Sequence, residues 1–122
     1  MTPLVVLIVD DDARNRKLAR DVLGLAGFET CEATSGERAI AVAFERLPDV
    51  ILMDIRLPDL DGNEVLRHLK ADLATARIPV VALTALTGAR EALLEAGFSG
   101  YIEKPIDVRE FAADVRRHCP AG

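Results

Sequence analysis

The chain has 122 residues and a formal net charge of −5; 50% of its residues are apolar and 29% are charged. This composition excludes disordered, collagen-like and membrane-spanning classes, and the acidic balance disfavours direct nucleic-acid binding, which rests on Lys and Arg. Cys31 and Cys119 are too isolated for a disulfide framework, the longest apolar run (4–9) is too short for a membrane span, and the N-terminus lacks a signal-peptide pattern. We expect a single cytoplasmic domain over 1–122, with its core at about 4–118 and no membrane insertion.

Short apolar runs alternate with amphipathic segments along the whole chain. Run 4–9 predicts a strand, and the helix after it is capped by Asp12 and ended by Gly27. A strand at 28–33 precedes a helix that opens at 35–37 and ends before Pro48. The pattern then predicts a strand at 50–53, a helix at 62–70, a strand at 80–83, a helix at 87–96, a strand at 100–102 and a helix at 107–117, capped by Asp107.

These strand-then-helix units determine the predicted architecture. Parallel strands joined by right-handed helical crossovers form an open sheet with helices on both faces. Three of the strands are apolar throughout, as expected for strands buried on both faces. The sequence therefore predicts a three-layer α/β sandwich.

Polar residues follow four of the predicted strands. Asp10 and Asp11 come after the first strand, Asp54 after the third, Thr84 after the fourth and Lys104 after the fifth. In open parallel sheets, ligands bind beyond the carboxyl ends of the strands, beside the point where the strand order reverses. We therefore expect these side chains to converge on one site.

Three carboxylates in one place need a cation. Two unit charges about 4 Å apart repel by about 1 kcal/mol in water and by about 4 kcal/mol at an effective dielectric of 20. Hard oxygen ligands in an open site fit Mg²⁺, with Mn²⁺ as a possible substitute. A metal beside a hydroxyl and an ammonium group suits phosphoryl transfer, and Asp54, at the end of the most buried strand, is the best candidate nucleophile.

The sequence resembles the receiver domains of two-component response regulators. The motifs that carry the resemblance are the acidic pair in "LIVDDD", "DVILMDIRLPDLDG" around Asp54, "LTA" with Thr84, and "YIEKP" with Tyr101, Lys104 and Pro105. Thirty residues separate Asp54 from Thr84, and fifty separate it from Lys104. The resemblance implies a (βα)5 flavodoxin-like receiver fold with a parallel sheet of order 2-1-3-4-5, in a regulator of the stand-alone, single-domain type.

The resemblance also implies a reaction and a metal site. Asp54 would accept a phosphoryl group from a sensor histidine kinase or a histidine phosphotransfer protein. Mg²⁺ would be bound by Asp10, Asp11, Asp54 and the backbone carbonyl of Arg56. The chain would catalyse only its own phosphorylation and dephosphorylation, so it is not expected to be an enzyme in the ordinary sense.

Further roles that the resemblance implies concern the phosphoryl group and the switch. Lys104, the Thr84 hydroxyl and the Ala85 backbone N–H would contact phosphoryl oxygens, and the peptide before Pro105 would be cis. Tyr101 would turn inward when Thr84 moves. A downstream protein would then bind the face made by the fourth helix, the fifth strand and the fifth helix.

Two features depart from the usual receiver pattern. The stretch from Thr84 to Lys104 is shorter than in most receivers, with "TGAR" before the fourth helix. Arg56 and Leu86, two residues beyond Asp54 and Thr84, are large enough to shield an acyl phosphate from water. We expect a phosphorylated state that lives longer than that of a minimal receiver.

Alternatives remain open at this point. The chain fits a receiver excised from a hybrid histidine kinase or a longer regulator, and more remotely a phosphohydrolase of the haloacid dehalogenase type, with Asp10 as nucleophile and Asp12 as acid-base group. Against the phosphohydrolase, Ala13-Arg14 occupies the stretch in which that family has a Thr or Val, and no acidic pair follows Lys104. The basic cluster 14–17 is either a solvated helix face or part of a kinase contact.

Overall fold

The computed structural model describes residues 2–85 and 90–120. Within them, the strands are β1 (Val5–Val9), β2 (Glu29–Ala33), β3 (Val50–Asp54), β4 (Val80–Thr84) and β5 (Gly100–Glu103). The helices are α1 (Ala13–Leu25), α2 (Gly36–Arg46), α3 (Gly62–Lys70), α4 (Arg90–Ala96) and α5 (Phe111–His118). The longest of these is α1 with 13 residues, and none of the described helices has the length and apolar character that a membrane span requires.

The strands form one parallel sheet of order β2-β1-β3-β4-β5, which confirms the predicted fold. Alternate residues of the central strands enter two cores. One core lies between the sheet and helices α2, α3 and α4, and it includes Leu7 and Ile51. The other lies between the sheet and helices α1 and α5, and it includes Ile8 and Leu52. Burial on both faces explains why these strands are apolar throughout.

Side-chain caps fix the starts of the first three helices. The backbone N–H of Arg14 donates to Asp12 Oδ1 at 2.8 Å, so Asp12 is the N-cap of α1, as predicted. Ser35 caps α2 and Asp61 caps α3 in the same way. Asp12, Ser35 and Asp61 thus end the connections that follow β1, β2 and β3.

The prediction for the last helix was wrong at its start. We expected a helix over 107–117 capped by Asp107, but α5 begins at Phe111. Asp107 Oδ1 accepts the backbone N–H of Arg109 at 2.9 Å, which closes a turn instead of a helix. The helix starts where Phe111 becomes buried in the core. For the fourth helix, the predicted residues 87–89 lie outside the described residues, and the rest is helical.

Candidate functional site

The carboxyl ends of β1, β3 and β5 bring the predicted charged residues together. Lys104 Nζ lies 3.1 Å from Asp54 Oδ2 and 3.3 Å from Asp10 Oδ2. Carboxylate oxygens of Asp10, Asp11 and Asp54 lie within 4.8 Å of one another. We call these three residues the acidic cluster. It lies where β1 and β3 adjoin, the point at which the strand order reverses.

An open cavity of about 330 Å³ adjoins the acidic cluster. Its lining includes most of the residues that the sequence predicted for the site: Asp11, Asp54, Arg56, Thr84, Ala85 and Lys104, together with Ile55 and Leu83. The cavity gives a ligand of phosphoryl size direct access to the end of β3.

Burial differs sharply among the charged groups. The side chain of Asp10 is only 1% exposed, that of Asp54 is 14% exposed and that of Lys104 is 21% exposed. A buried carboxylate needs hydrogen-bond donors, and Asp10 accepts from the backbone N–H of Asp12 at 2.9 Å as well as from Lys104. Asp10 is therefore a fixed part of the site, whereas Asp11 is exposed.

Lys104 holds its proton firmly. Burial lowers the pKa of the ammonium group, but its hydrogen bond to Asp54 and the charges of Asp10 and Asp54 outweigh that effect, so the pKa of Lys104 lies above its usual value. The ammonium is charged at neutral pH. The three carboxylates and one ammonium leave two negative charges, which a divalent cation would balance.

The donor chemistry fits a hard divalent cation. The acidic cluster presents only carboxylate oxygens, the ligands that Mg²⁺ and Mn²⁺ prefer. Arg56 lies beside the cluster and lines the cavity. The cluster can therefore bind a metal ion of this class.

The ends of β4 and β5 position the remaining predicted residues. Thr84 is buried, and its carbonyl accepts the backbone N–H of Lys104 at 2.8 Å, which joins the two strand ends. The Lys104–Pro105 peptide is cis. Tyr101 is half-buried on β5 and packs against the core beside α2, α3 and α4. Leu86 lies outside the described residues.

The structure also shows two residues near the site that the sequence analysis missed. Arg16 Nη1 donates to the carbonyl of Asp10 at 2.9 Å, and its Nε donates to Glu32 at 3.3 Å. Arg16 is thus half-buried at the loop after β1, whereas Arg14 and Lys17 of the basic cluster are exposed. Asp59 joins the loop after β3 to α2. No sequence signal separates either residue from its charged neighbours.

Comparisons with known proteins agree with this geometry. A family model described as the response regulator receiver domain matches residues 6–116. The polar-differentiation response regulator DivK of Brucella ovis is 42% identical over 115 residues, covering 93% of this chain and 94% of that protein. DivK of Brucella anthropi is 41% identical over 118 residues, covering 95% and 96% respectively.

Solved structures are similar over nearly the whole fold. The chemotaxis response regulator CheY4 of Vibrio cholerae superposes with a TM-score of 0.89 at 27% identity, covering 95% of this chain and 98% of that one. The receiver domain of the sensor histidine kinase PA1611 of Pseudomonas aeruginosa superposes with a TM-score of 0.85 at 34% identity, covering 95% and 97%. The PA1611 domain was solved with a magnesium ion coordinated in its active site cleft.

Proposed function

The chain belongs to the response regulator receiver domain family, and we propose that it accepts a phosphoryl group on Asp54. The observation that carries this proposal is the environment of the Asp54 carboxylate. It ends a buried strand, opens onto a cavity, contacts the Lys104 ammonium at 3.1 Å and lies beside two further carboxylates. Positioning and charge neutralisation of this kind are what phosphoryl transfer needs from a protein.

The proposed donor is a phosphohistidine. A carboxylate oxygen of Asp54 attacks the phosphorus, the new O–P bond forms as the N–P bond breaks, and the leaving imidazole nitrogen keeps the electron pair. Asp10, Asp11, Asp54 and the backbone carbonyl of Arg56 would hold Mg²⁺. When bound, the ion neutralises charge on the phosphoryl oxygens.

Three further groups bind the transferred phosphoryl group. Lys104 already contacts the accepting carboxylate, so its ammonium needs only a small movement to reach a phosphoryl oxygen. The Thr84 hydroxyl and the Ala85 backbone N–H, at the cavity wall, bind another. Because a phosphoryl group adds up to two negative charges and three acceptor oxygens, it favours the arrangement in which these groups close around it.

The partners follow from the family and from the relatives. We propose a sensor histidine kinase or a histidine phosphotransfer protein as donor, and a downstream protein that binds the face formed by α4, β5 and α5, where Tyr101 reports the position of Thr84. The polar-differentiation response regulator DivK of Brucella ovis, 42% identical to this chain, supports a response regulator as the function. We take 1–122 as one receiver domain, with its core at about 4–118, and place it in the cytoplasm.

A second candidate is a receiver that belongs to a hybrid histidine kinase. The likeness to the receiver domain of PA1611, at 34% identity, favours it. Immunodetection of the native protein in its source cells separates the two: a species of the size of this chain supports the stand-alone regulator, and a much larger one supports the hybrid kinase. The phosphohydrolase alternative is set aside, because the chain belongs to the receiver family and Asp12 caps α1.

Intact-mass measurement tests the proposal. The protein is incubated with Mg²⁺ and acetyl phosphate, and in parallel with a phosphorylated histidine phosphotransfer domain. We expect a gain of one phosphoryl group that EDTA prevents and that Asp54→Asn lacks. Asp72→Asn, which removes the same charge at the opposite edge of the sheet, is the control and should be modified like the wild type. Modification of Asp54→Asn, or none of the wild type by either donor, would contradict the proposal.

A further inference from the structure

The loop between β3 and α3, residues 55–61, carries Arg56 and therefore part of the proposed metal site. The start of this β3–α3 loop is fastened by the backbone N–H of Arg56, which donates to Asp54 Oδ1 at 3.1 Å. Its end is fastened by the backbone N–H of Gly62, which donates to the carbonyl of Ile55 at 2.9 Å. Both bonds lie within the loop and its immediate neighbours. Neither bond involves residues 57–60 in the middle of the loop.

Asp59 provides that anchor at the N-terminus of α2. Its Oδ1 accepts the backbone N–H of Gly36 at 2.7 Å, and its Oδ2 accepts that of Glu37 at 3.0 Å. Ser35 accepts the next N–H, that of Arg38, at 3.2 Å. A carboxylate is favoured at a helix N-terminus, and its hydrogen bonds there are charge-assisted. The bonds from Glu37 and Gly36 hold the pKa of Asp59 below its usual range, so the carboxylate is ionised at neutral pH.

Steric contact supports the same junction. A Cβ atom added at Gly36 would lie 2.8 Å from the Cβ of Leu60 and 2.9 Å from a methyl of Val65. Only glycine allows α2 to approach the β3–α3 loop this closely without displacing either side chain. The loop and the helix thus meet through both hydrogen bonds and direct packing.

We propose that Asp59 is a positioning residue for the metal site. By holding the middle of the β3–α3 loop against α2, it fixes the backbone at Arg56 before an ion binds. The inference rests on the proposed function, in which the Arg56 carbonyl is a metal ligand. Without the anchor, the loop has to be ordered when the ion binds, and the lost conformational entropy weakens the affinity.

Calorimetric titration of the full chain with Mg²⁺ tests the proposal, with Ser35→Ala as the matched control. Asp59→Ala and Ser35→Ala both remove hydrogen bonds from the first turn of α2, and both should lower the melting temperature. Asp59→Ala should also weaken Mg²⁺ binding about tenfold, which is a common effect of removing a group that supports a metal ligand. Ser35→Ala should leave the Mg²⁺ affinity unchanged. Amide hydrogen exchange should quicken at Gly36 and Glu37 in Asp59→Ala.

Asp59→Asn separates positioning from charge. It removes the same negative charge as Asp59→Ala but keeps one acceptor oxygen for the helix. If Asp59 acts by positioning the loop, the Mg²⁺ affinity of Asp59→Asn should lie between those of the wild type and Asp59→Ala. Equal weakening in Asp59→Asn and Asp59→Ala would show that charge alone acts, and would overturn the proposal. So would an Mg²⁺ affinity in Asp59→Ala that equals that of the wild type or of Ser35→Ala.

The titration also separates this inference from the proposed function. If the wild type binds Mg²⁺ and is phosphorylated on Asp54 while the Asp59 variants match it, only the role of Asp59 fails. If the wild type binds no Mg²⁺, the metal site fails, and the positioning role fails with it.

Discussion

Asp11→Asn should stabilise the metal-free protein, although most substitutions destabilise. Oxygens of Asp11 lie within 4.8 Å of oxygens of Asp10 and of Asp54. At that distance each pair repels by about 0.9 kcal/mol in water and by about 3.5 kcal/mol at an effective dielectric of 20. Lys104 contacts Asp10 and Asp54, and no ion pair of Asp11 occurs in the described part of the chain. Because Asp11 is exposed, we take the lower end of this range and expect a gain of about 1–2 kcal/mol.

Urea unfolding in EDTA at low salt measures this gain as a higher midpoint with an unchanged slope. The charge-matched control is Asp12→Asn at the neighbouring position. Asp12 caps α1 and is not in the acidic cluster, and Asn caps a helix as well as Asp does, so this variant should unfold like the wild type. Added salt should reduce the gain of Asp11→Asn, because exposed charges are screened.

Magnesium should reverse the order of the two proteins. An ion present at about a hundred times its dissociation constant stabilises the folded state by about 2.7 kcal/mol, which exceeds the gain expected for Asp11→Asn in EDTA, and Asp11→Asn should lose most of this stabilisation by the ion. The reasoning is refuted if Asp11→Asn is no more stable than the wild type in EDTA, or if Asp12→Asn gains as much. Either result would mean that repulsion within the acidic cluster is not what an ion relieves.

Three further predictions concern the groups around the cluster. Lys104→Met should lower the free energy of unfolding by about 3 kcal/mol, because the buried Asp10 loses its cation. Since the pKa of Lys104 is raised in the folded state, its contribution is complete below the unfolded pKa of about 10.4 and is lost as pH rises through the folded value. Alkaline urea unfolding should show this decline in the wild type and not in the variant. Arg16→Ala should cost about 1–2 kcal/mol in the same assay and weaken Mg²⁺ binding, because the Asp10 carbonyl loses its donor. Arg56→Ala combined with Leu86→Ala should shorten the lifetime of the phosphorylated state, because Arg56 lines the cavity; an unchanged hydrolysis rate would contradict the shielding argument.

Local pattern was sufficient for most of the fold. The apolar runs predicted each strand to within a residue or two at either end, and Asp12 was recognised as a cap from its place before an amphipathic run. The start of α5 was not recoverable in this way. Asp107 is an equally good first residue for a helix or a turn, and in the structure it closes a turn that precedes α5.

The sequence by itself determined the alternation of strands and helices and the set of polar residues that follow the strands. Those features depend on periodicity and on the rule that parallel strands end at one edge, so the position of Asp54 and Lys104 in the chain was enough to pair them. Only the tertiary structure decided that Arg16 donates to the backbone carbonyl of Asp10 and that Asp59 binds the β3–α3 loop to the N-terminus of α2. Asp59 and its partners in α2 lie 22 and 23 residues apart in the chain, and the Nε of Arg16 is bound by Glu32 on the neighbouring strand β2. Such hydrogen bonds depend on distances of a few ångströms that no local pattern encodes.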